Sequence, residues 1–481
     1  MKLRELLNGL EVEETRGNLD IEIVNVAYDS RVAGSGSLFV CIEGFTTDGH
    51  KFISSAINNG AKAILVQRNV DTPDDVTVVR VKDTRFGLAH ISNSFFGNPS
   101  NNFCLIGVTG TKGKTSTTYM IKSIFEEAGQ KVGLIGTINN LIADEILYGE
   151  RTTPESHDLQ SLFSYMSEKE VNSVVMEVSS HGLGLHRVSC SHFDIGVFTN
   201  LYFDHIGEGE LHHNMEDYYN AKSKLFNMCK KGLINIDDTY GRRLLKDASC
   251  EIYTYGINAN ADFKAEDIKV NRDSIEFMVK TPWSSDNIRV GIPGKFNIYN
   301  ALAAIAVCCF ENIPMNAIKS GLEAIKVPGR LEVVDTGKDF TVIVDYAHNA
   351  ASLENVLKSV REFTLGRLVC VFGCGGNRQG RRISMGEVSG NLADFTIITS
   401  DNPRTEDPEK IISEIEEGIK RTNGKYIKIV DRYEGIRYAI ENAKPEDIIL
   451  IAGKGHENYQ QFKDKTIHFD DREVVREILK R

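Results

Sequence analysis

The chain has 481 residues, 41% of them apolar and 26% charged, with a formal net charge of -11. That is apolar material for several globular cores, about three at ordinary domain size. The acidic balance argues against nucleic acid as a partner, which would want clustered Lys and Arg. No run approaches the ~20 apolar residues of a membrane span.

The first segment, MKLRELLNGLEVEE, carries charges throughout and lacks the apolar stretch of a signal peptide. Nine cysteines are scattered without a C-x-x-C pair or zinc-like spacing, as in a reducing cytosol. Cys104, Cys308 and Cys309 lie in apolar runs and read as small core residues. The expectation is a cytoplasmic protein without membrane insertion or a nucleic-acid partner.

Short β-branched runs follow one another along the chain: KAILVQ, VTVVRV, NSVVMEV, DIGVFTN, FTVIVDY, RLVCVFG, FTIITS and DIILIAG read as buried strands. Stretches such as SLENVLKSVREF and PEKIISEIEEGIKR read as helices between them. This alternation predicts α/β domains with largely parallel sheets. Turn-rich FFGNPSNNF and the break at IKVPGRLEVV divide the chain into three domains, 1–98, 99–327 and 328–481.

At IGVTGTKGKTSTT, a plausible strand meets a plausible helix through a glycine-rich turn. Such a turn converges backbone N–H groups and a positive helix end on an anion. The usual phosphate-loop template places a glycine where this chain has Val108. The glycines fall instead at Gly107, Gly110 and Gly113, which alters the loop's path and leaves its chemistry. Gly110, Thr111, Lys112, Gly113, Lys114, Thr115 and Ser116 are the candidate nucleotide residues, with Lys114 reaching phosphate and the Thr115 hydroxyl a metal ligand.

The spacing Gly-x-x-Gly-x-x-Gly-Lys-Thr resembles the ATP loop of the Mur ligase and folylpolyglutamate synthetase superfamily. Further matches follow in order: MEVSSHGLGLHRV, TNLYFDHIG, YYNAKSKLF, GKFNIYNALAA, VPGRLE, VDYAHN, VFGCGGNR, SDNPRTEDP and AGKGHE. The set most resembles the MurE branch of the Mur ligase family, which adds the third residue of the peptidoglycan stem peptide. The resemblance implies a small N-terminal α/β UDP-binding domain, a central ATPase-like parallel-sheet domain and a Rossmann-like C-terminal domain. It also implies an ATP- and Mg²⁺-dependent amide ligase in which a substrate carboxylate is phosphorylated and the acyl phosphate is attacked by an amine.

By the same resemblance, Glu177, His205 and a carbamylated Lys222 join Thr115 around metal, with Lys114, Lys222, Glu177 and His205 as the catalytic set. Asn297 and Asn300 lie near the adenine, and Arg330 and Asp345 reach phosphate and ribose, so that the C-terminal domain closes over ATP. Ser30, with Phe45, Thr46 and Thr47 less strongly, is assigned to the UDP moiety. Thr152, Thr153, Ser179 and Arg187 are assigned to the muramoyl dipeptide, UDP-N-acetylmuramoyl-L-Ala-D-Glu. Within DNPR, Arg404 offers a planar fork to a carboxylate. meso-Diaminopimelate has a distal carboxylate and L-lysine does not, so diaminopimelate is the expected amine. Arg378, Asp401, Asn402, Pro403, Gly453 and Glu457 complete that pocket.

The chain departs from the family pattern at Ala350-Ala351 after VDYAHN, at Ile383 in a shortened glycine-rich segment, in GEGELHHNMEDYY and at Leu185. These departures leave open a specialised paralogue, or the same ligation with lysine or another diamino acid. Other readings are a folylpolyglutamate synthetase-like ligase, against which the UDP-like N-terminal domain and DNPR speak, and a non-catalytic phosphate-loop module. A monomer is expected.

Overall fold

A computed structural model describes residues 1–480 apart from 144, 148, 150, 205, 208, 209 and 378, and the side chain of 379. His205 and Arg378 therefore lie outside the described residues. Internal contacts divide the chain into two compact units, Met1–Ala261 with Ala306–Ile313, and Asp262–Ile305 with Pro314–Arg481.

The first unit opens with a five-stranded sheet of β1 (Glu14–Arg16), β2 (Asn25–Ala27), β3 (Ser37–Val40), β4 (Ala63–Val66) and β5 (Thr77–Arg80), in the order β1-β5-β4-β3-β2. β2 to β5 run parallel and β1 antiparallel. β3 and β4 are wholly buried, β4 an unbroken apolar run and β3 one after Ser37, as in strands covered on both faces.

There follow β6 (Cys104–Thr109), β7 (Val132–Ile135), β8 (Asn140–Ile142), β9 (Glu145–Leu147), β10 (Ser173–Glu177), β11 (Phe193–Phe198), β12 (Cys229–Asn235) and β13 (Glu251–Gly256). Their order is β13-β12-β11-β6-β10-β7-β8-β9. All pair in parallel except the hairpin strands β8 and β9. β6 lies between β10 and β11, where the strand order reverses. In open α/β sheets the crevice at such a switch point, beyond the carboxyl strand ends, is where ligands bind. The core beside it gathers Leu105, Leu159, Phe163, Met176, Phe193 and Phe198.

The second unit holds an antiparallel meander of β14 (Phe263–Val270), β15 (Ile275–Lys280) and β16 (Ser285–Val290). Its half-polar burial alternation differs from the largely parallel sheets expected. Beyond it, β17 (Glu332–Val334), β18 (Thr341–Asp345), β19 (Leu368–Phe372), β20 (Phe395–Ile398), β21 (Tyr426–Lys428) and β22 (Ile448–Ala452) form a sheet of order β17-β18-β22-β19-β20-β21. It is parallel except for β17. Helices cover both faces, with Leu353, Leu357, Ile411 and Ile415 on one and Ile436, Ile440 and Val475 on the other. A final ribbon pairs β23 (Tyr459–Gln461) with β24 (Thr466–His468).

The cysteines are thiols. Cys308 is buried as expected of a core residue, while Cys104 and Cys309 are only half-buried, since they stand near the ends of their elements. Among the described residues no helix is long and apolar enough to cross a membrane.

Candidate active site

The glycine loop leaves β6 and enters the helix Lys114–Glu127 through Gly113, whose φ of 87° lies in the left-handed region that glycine enters without strain. No side chain caps this helix, whereas Asp83, Asn214, Asp238, Asp407 and Asp431 cap others. An uncapped N-terminus on a glycine loop presents its amide groups to an anion. Lys114 Nζ donates to the carbonyls of Gly110 and Thr111 at 2.9 and 3.0 Å, folded over the loop it would leave for a phosphate.

Residues after β11 brace the loop. The Thr111 and Lys112 amides donate to the Asn200 carbonyl and Oδ1, both at 2.9 Å, and Thr199 Oγ1 donates to the Lys112 carbonyl at 2.7 Å. Lys112 pairs with Asp204 at 3.0 Å. Ser116 is buried in the first turn.

Glu177, the last residue of β10, is 1% exposed. Thr115 Oγ1 donates to its Oε1 at 3.0 Å, and Thr137, beyond β7, donates to Oε1 through N–H at 2.9 Å and to Oε2 through its hydroxyl at 3.1 Å. A buried carboxylate beside a hydroxyl, both oxygen donors, suits a hard divalent cation. Thr137 was not legible in the sequence, because only the strand order brings the ends of β6, β7 and β10 together.

Lys222, on the helix Met215–Ser223, is buried, and its Nζ donates to the Gly110 carbonyl at 2.8 Å and sits 4.7 Å from the Tyr218 ring centroid. Burial, then the charge of Lys114, holds its amine well below the usual lysine range. Lys222 is therefore a buried lysine and not one on the helix surface.

On the other flank of Glu177, Thr153 Oγ1 donates to the Glu177 carbonyl at 2.9 Å and accepts from the Ser179 amide at 3.0 Å. Thr152 meets Thr137 at 3.0 Å, hydroxyl to hydroxyl, and Arg187 donates to the Thr153 carbonyl at 3.1 Å. Thr152, Thr153, Ser179 and Arg187 are thus brought together. Ser30 is buried in the five-stranded module, its carbonyl accepting from Asn59 at 2.8 Å, while Phe45 stands exposed.

In the second unit, Asp401, Asn402 and Lys454 are buried around Glu457. Asn402 Nδ2 donates to Glu457 Oε2 at 2.8 Å, and Lys454 lies 3.3 Å from the same oxygen. Burial pushes the Glu457 carboxyl above its ordinary value, against the pull of Lys454. Gly453, at φ 112°, leaves no room for a side chain, since a Cβ would stand 2.6 Å from Asp401 Oδ2. Arg404 follows Pro403 at φ 54°, its amide bonded to the Gln461 carbonyl at 2.9 Å and its guanidinium 3.3 Å from the Gly376 carbonyl. Lys454 lies within the AGKGHE motif yet carries no expectation from sequence; its full burial marks it.

Asn297 and Asn300 share a helix face, Asn300 Nδ2 donating to Asn297 Oδ1 at 2.9 Å. Asn297 in turn donates to the Pro293 carbonyl at 2.7 Å. The Arg330 guanidinium stacks 4.4 Å from the Tyr346 ring centroid. Asp345 accepts the amides of Leu331 at 2.8 Å and Ala347 at 2.9 Å, so its carboxylate holds two loops together.

Three family models match the chain: Mur ligase family, catalytic domain, over residues 22–96; Mur ligase middle domain over 108–308; and Mur ligase, glutamate ligase domain over 329–455. The chain belongs to the Mur ligase family. Its three-domain α/β architecture and its ATP-dependent ligase chemistry are those of Mur ligases. The UDP-N-acetylmuramoyl-L-alanyl-D-glutamate--2,6-diaminopimelate ligase of Caldanaerobacter subterraneus subsp. tengcongensis is 48% identical over 481 residues, covering 100% of this chain and 99% of that protein. A Clostridium acetobutylicum ligase of the same name, numbered 1, is 48% identical over 484 residues, with 100% and 99% covered. A solved structure of a ligase so named superposes with a TM-score of 0.73 at 28% identity, covering 100% and 99% of the two chains. Like this Mur ligase, those relatives extend over the N-terminal module as well as the two that follow.

Proposed function

We propose that this Mur ligase joins meso-2,6-diaminopimelate to UDP-N-acetylmuramoyl-L-alanyl-D-glutamate, with ATP activating the acceptor carboxylate, in cytoplasmic peptidoglycan precursor synthesis. The observation that carries the reading is the meeting of Thr115 and Glu177 beside the glycine loop, with Lys222 on the Gly110 carbonyl. The names of the full-length relatives supply the substrates. We propose domains 1–98, 99–327 and 328–481, a reading to which the three family matches lend support, and a monomer.

The loop amides and Lys114 bind the ATP phosphates, and Thr115, Glu177, His205 and Lys222 would hold Mg²⁺. When bound, Mg²⁺ offsets the negative charge gathered on the transferring phosphoryl group. Lys222 enters as an N-carboxylysine. Its amine, kept neutral by burial and by Lys114, adds to carbon dioxide and releases one proton, so an uncharged group beside the Lys114 cation becomes an anion. The acceptor carboxylate attacks the γ-phosphorus and ADP leaves. The amine of diaminopimelate then attacks the acyl carbon, phosphate leaves, and the amine proton passes to solvent.

Ser30 takes the UDP end of the acceptor, and Thr152, Thr153, Ser179 and Arg187 take its dipeptide. Asn297, Asn300, Arg330 and Asp345 serve the nucleotide. Arg404, with Arg378, takes the distal carboxylate of diaminopimelate, and Glu457 its ammonium, in a pocket framed by Asp401, Asn402, Pro403 and Gly453. The test is ADP release from purified protein with ATP and Mg²⁺. ADP should accumulate only when the UDP-muramoyl dipeptide and the amine are both present; ADP formed equally without them would contradict a ligase.

A further inference from the structure

Glu155 directly follows Thr152-Thr153-Pro154 and is 5% exposed. Three guanidiniums converge on its carboxylate: Arg85 at 3.4 Å, Arg151 at 3.5 Å and Arg187, through Nε, at 3.4 Å. They come from three places, the helix Thr84–Phe95 of the N-terminal module, the segment before Thr152, and the turn after the helix Ser180–Gly184. One carboxylate satisfies one planar guanidinium well, at about 2.7–2.9 Å. Three at 3.4–3.5 Å leave this cluster with surplus positive charge and unspent donors. Arg187 Nε, at ion-pair distance from Glu155, makes no hydrogen bond, although Arg187 Nη1 is committed to the Thr153 carbonyl at 3.1 Å.

Arg85 also reaches the other way, its Nη2 donating to the Glu43 carbonyl at 3.2 Å. Glu43 stands two residues before the Phe45-Thr46-Thr47 segment. A single run of contacts thus passes from Glu43 through Arg85, Glu155 and Arg187 to Thr153. One end is the loop that the family resemblance assigns, less strongly than Ser30, to the UDP moiety, and the other is the grip proposed to hold the dipeptide.

We propose that Arg85 and Glu155 are positioning residues for the acceptor: Glu155 fixes Arg187 against Thr153, and Arg85 ties that grip to the Glu43–Thr47 loop, so both ends of one anionic substrate are held in register. The proposal rests on the ligase reading above. An elongated substrate gains most of its affinity when its two subsites are fixed relative to each other, because the second contact then costs little further ordering.

The experiment begins with the unaltered chain, ATP, Mg²⁺, UDP-N-acetylmuramoyl-L-Ala-D-Glu and meso-diaminopimelate. No tripeptide at this stage overturns the ligase reading and the positioning roles with it; product separates the two questions. Glu155→Gln and Arg85→Lys are then compared with the parent. Both are expected to raise the KM for the UDP-muramoyl dipeptide tenfold or more, with kcat, the KM for ATP and the melting temperature little changed. UDP alone should inhibit Glu155→Gln as it does the parent, and Glu155→Asp should recover part of the loss. Arg85→Lys, which keeps the charge and cannot span Glu43 and Glu155 together, decides the matter if Glu155→Gln does not fold. An unchanged KM in the folded variants, or an equal rise for all three substrates with a lowered melting temperature, overturns the proposal.

Discussion

Thr115 Oγ1 donates to Glu177 Oε1 across 3.0 Å, joining the first turn of the helix after β6 to the end of β10. Neither residue is near the other in sequence, and their meeting places a hydroxyl and a buried carboxylate side by side at the glycine loop, where the proposed function puts the cation. Glu177→Gln keeps the volume and, with its amide oxygen at the Oε1 position, can still accept from the Thr137 N–H and the Thr115 hydroxyl, while it removes the charge and the acceptor that meets the Thr137 hydroxyl. It should lower kcat by about a hundredfold to a thousandfold, the range for losing one preorganised electrostatic contact, with the melting temperature held. Steady-state phosphate release over a Mg²⁺ titration reads the loss in kcat, and thermal denaturation the melting temperature.

Lys222 makes a separate prediction. A lysine held below its usual range by burial and by Lys114 is an amine at a pH where surface lysines are ammonium, and only the amine combines with carbon dioxide. Protein equilibrated with ¹³C-bicarbonate should show one carbamate carbon by NMR, absent from Lys222→Arg. The signal should fade as pH falls, because protonation withdraws the amine. Lys222→Ala should lose about a hundredfold or more in kcat.

In the proposed function Arg404 selects the incoming amine. Its backbone sits at φ 54° on a turn bonded to Gln461, so Arg404→Lys keeps the turn and the charge and loses the planar fork. The KM for diaminopimelate should rise by about tenfold to a hundredfold, the worth of about 1.5–3 kcal/mol for a charged hydrogen bond. The KM for ATP should stay where it was.

The legible part of this molecule is local. Strand–glycine–helix at Cys104–Glu127 could be read because it lies within two adjacent elements. What escaped is what the strand order creates. Thr137 reaches Glu177 because β10 lies between β6 and β7, and Arg85 reaches Glu155 by packing one helix on another module. The β14–β16 meander escaped for a different reason: its strands bury only alternate residues, so they lack the continuous apolar runs that marked the parallel strands.

Acid stability follows from His456, whose ring lies 4.9 Å from the Tyr346 ring centroid. Burial, then Arg330, Arg472 and Lys454, push its pKa down to about 3. A histidine depressed in the fold binds its proton more readily when unfolded. Its contribution is complete above the unfolded value near 6.5 and is lost as pH falls from there toward 3. Denaturation of the full chain should show stability declining by up to about 1.4 kcal/mol per pH unit from this group, and His456→Gln should flatten the slope between pH 6.5 and 4.5.

In the same unit, Arg432 and Asp471 are fully buried and paired through two bonds of 2.7 Å, joining the helices Arg432–Glu441 and Asp471–Lys480. Arg432→Met strands Asp471 as an unpaired buried charge and should cost about 3–5 kcal/mol. Chemical denaturation monitored at the C-terminal module reads that loss.

The most direct test of the whole account is the mass of the product formed from UDP-N-acetylmuramoyl-L-Ala-D-Glu and ATP in parallel reactions with meso-diaminopimelate and L-lysine. A tripeptide formed with diaminopimelate, and not with lysine, is the predicted result. Product from lysine would contradict the assignment of Arg404 and Glu457, and no product from either amine in folded protein would contradict the ligase itself.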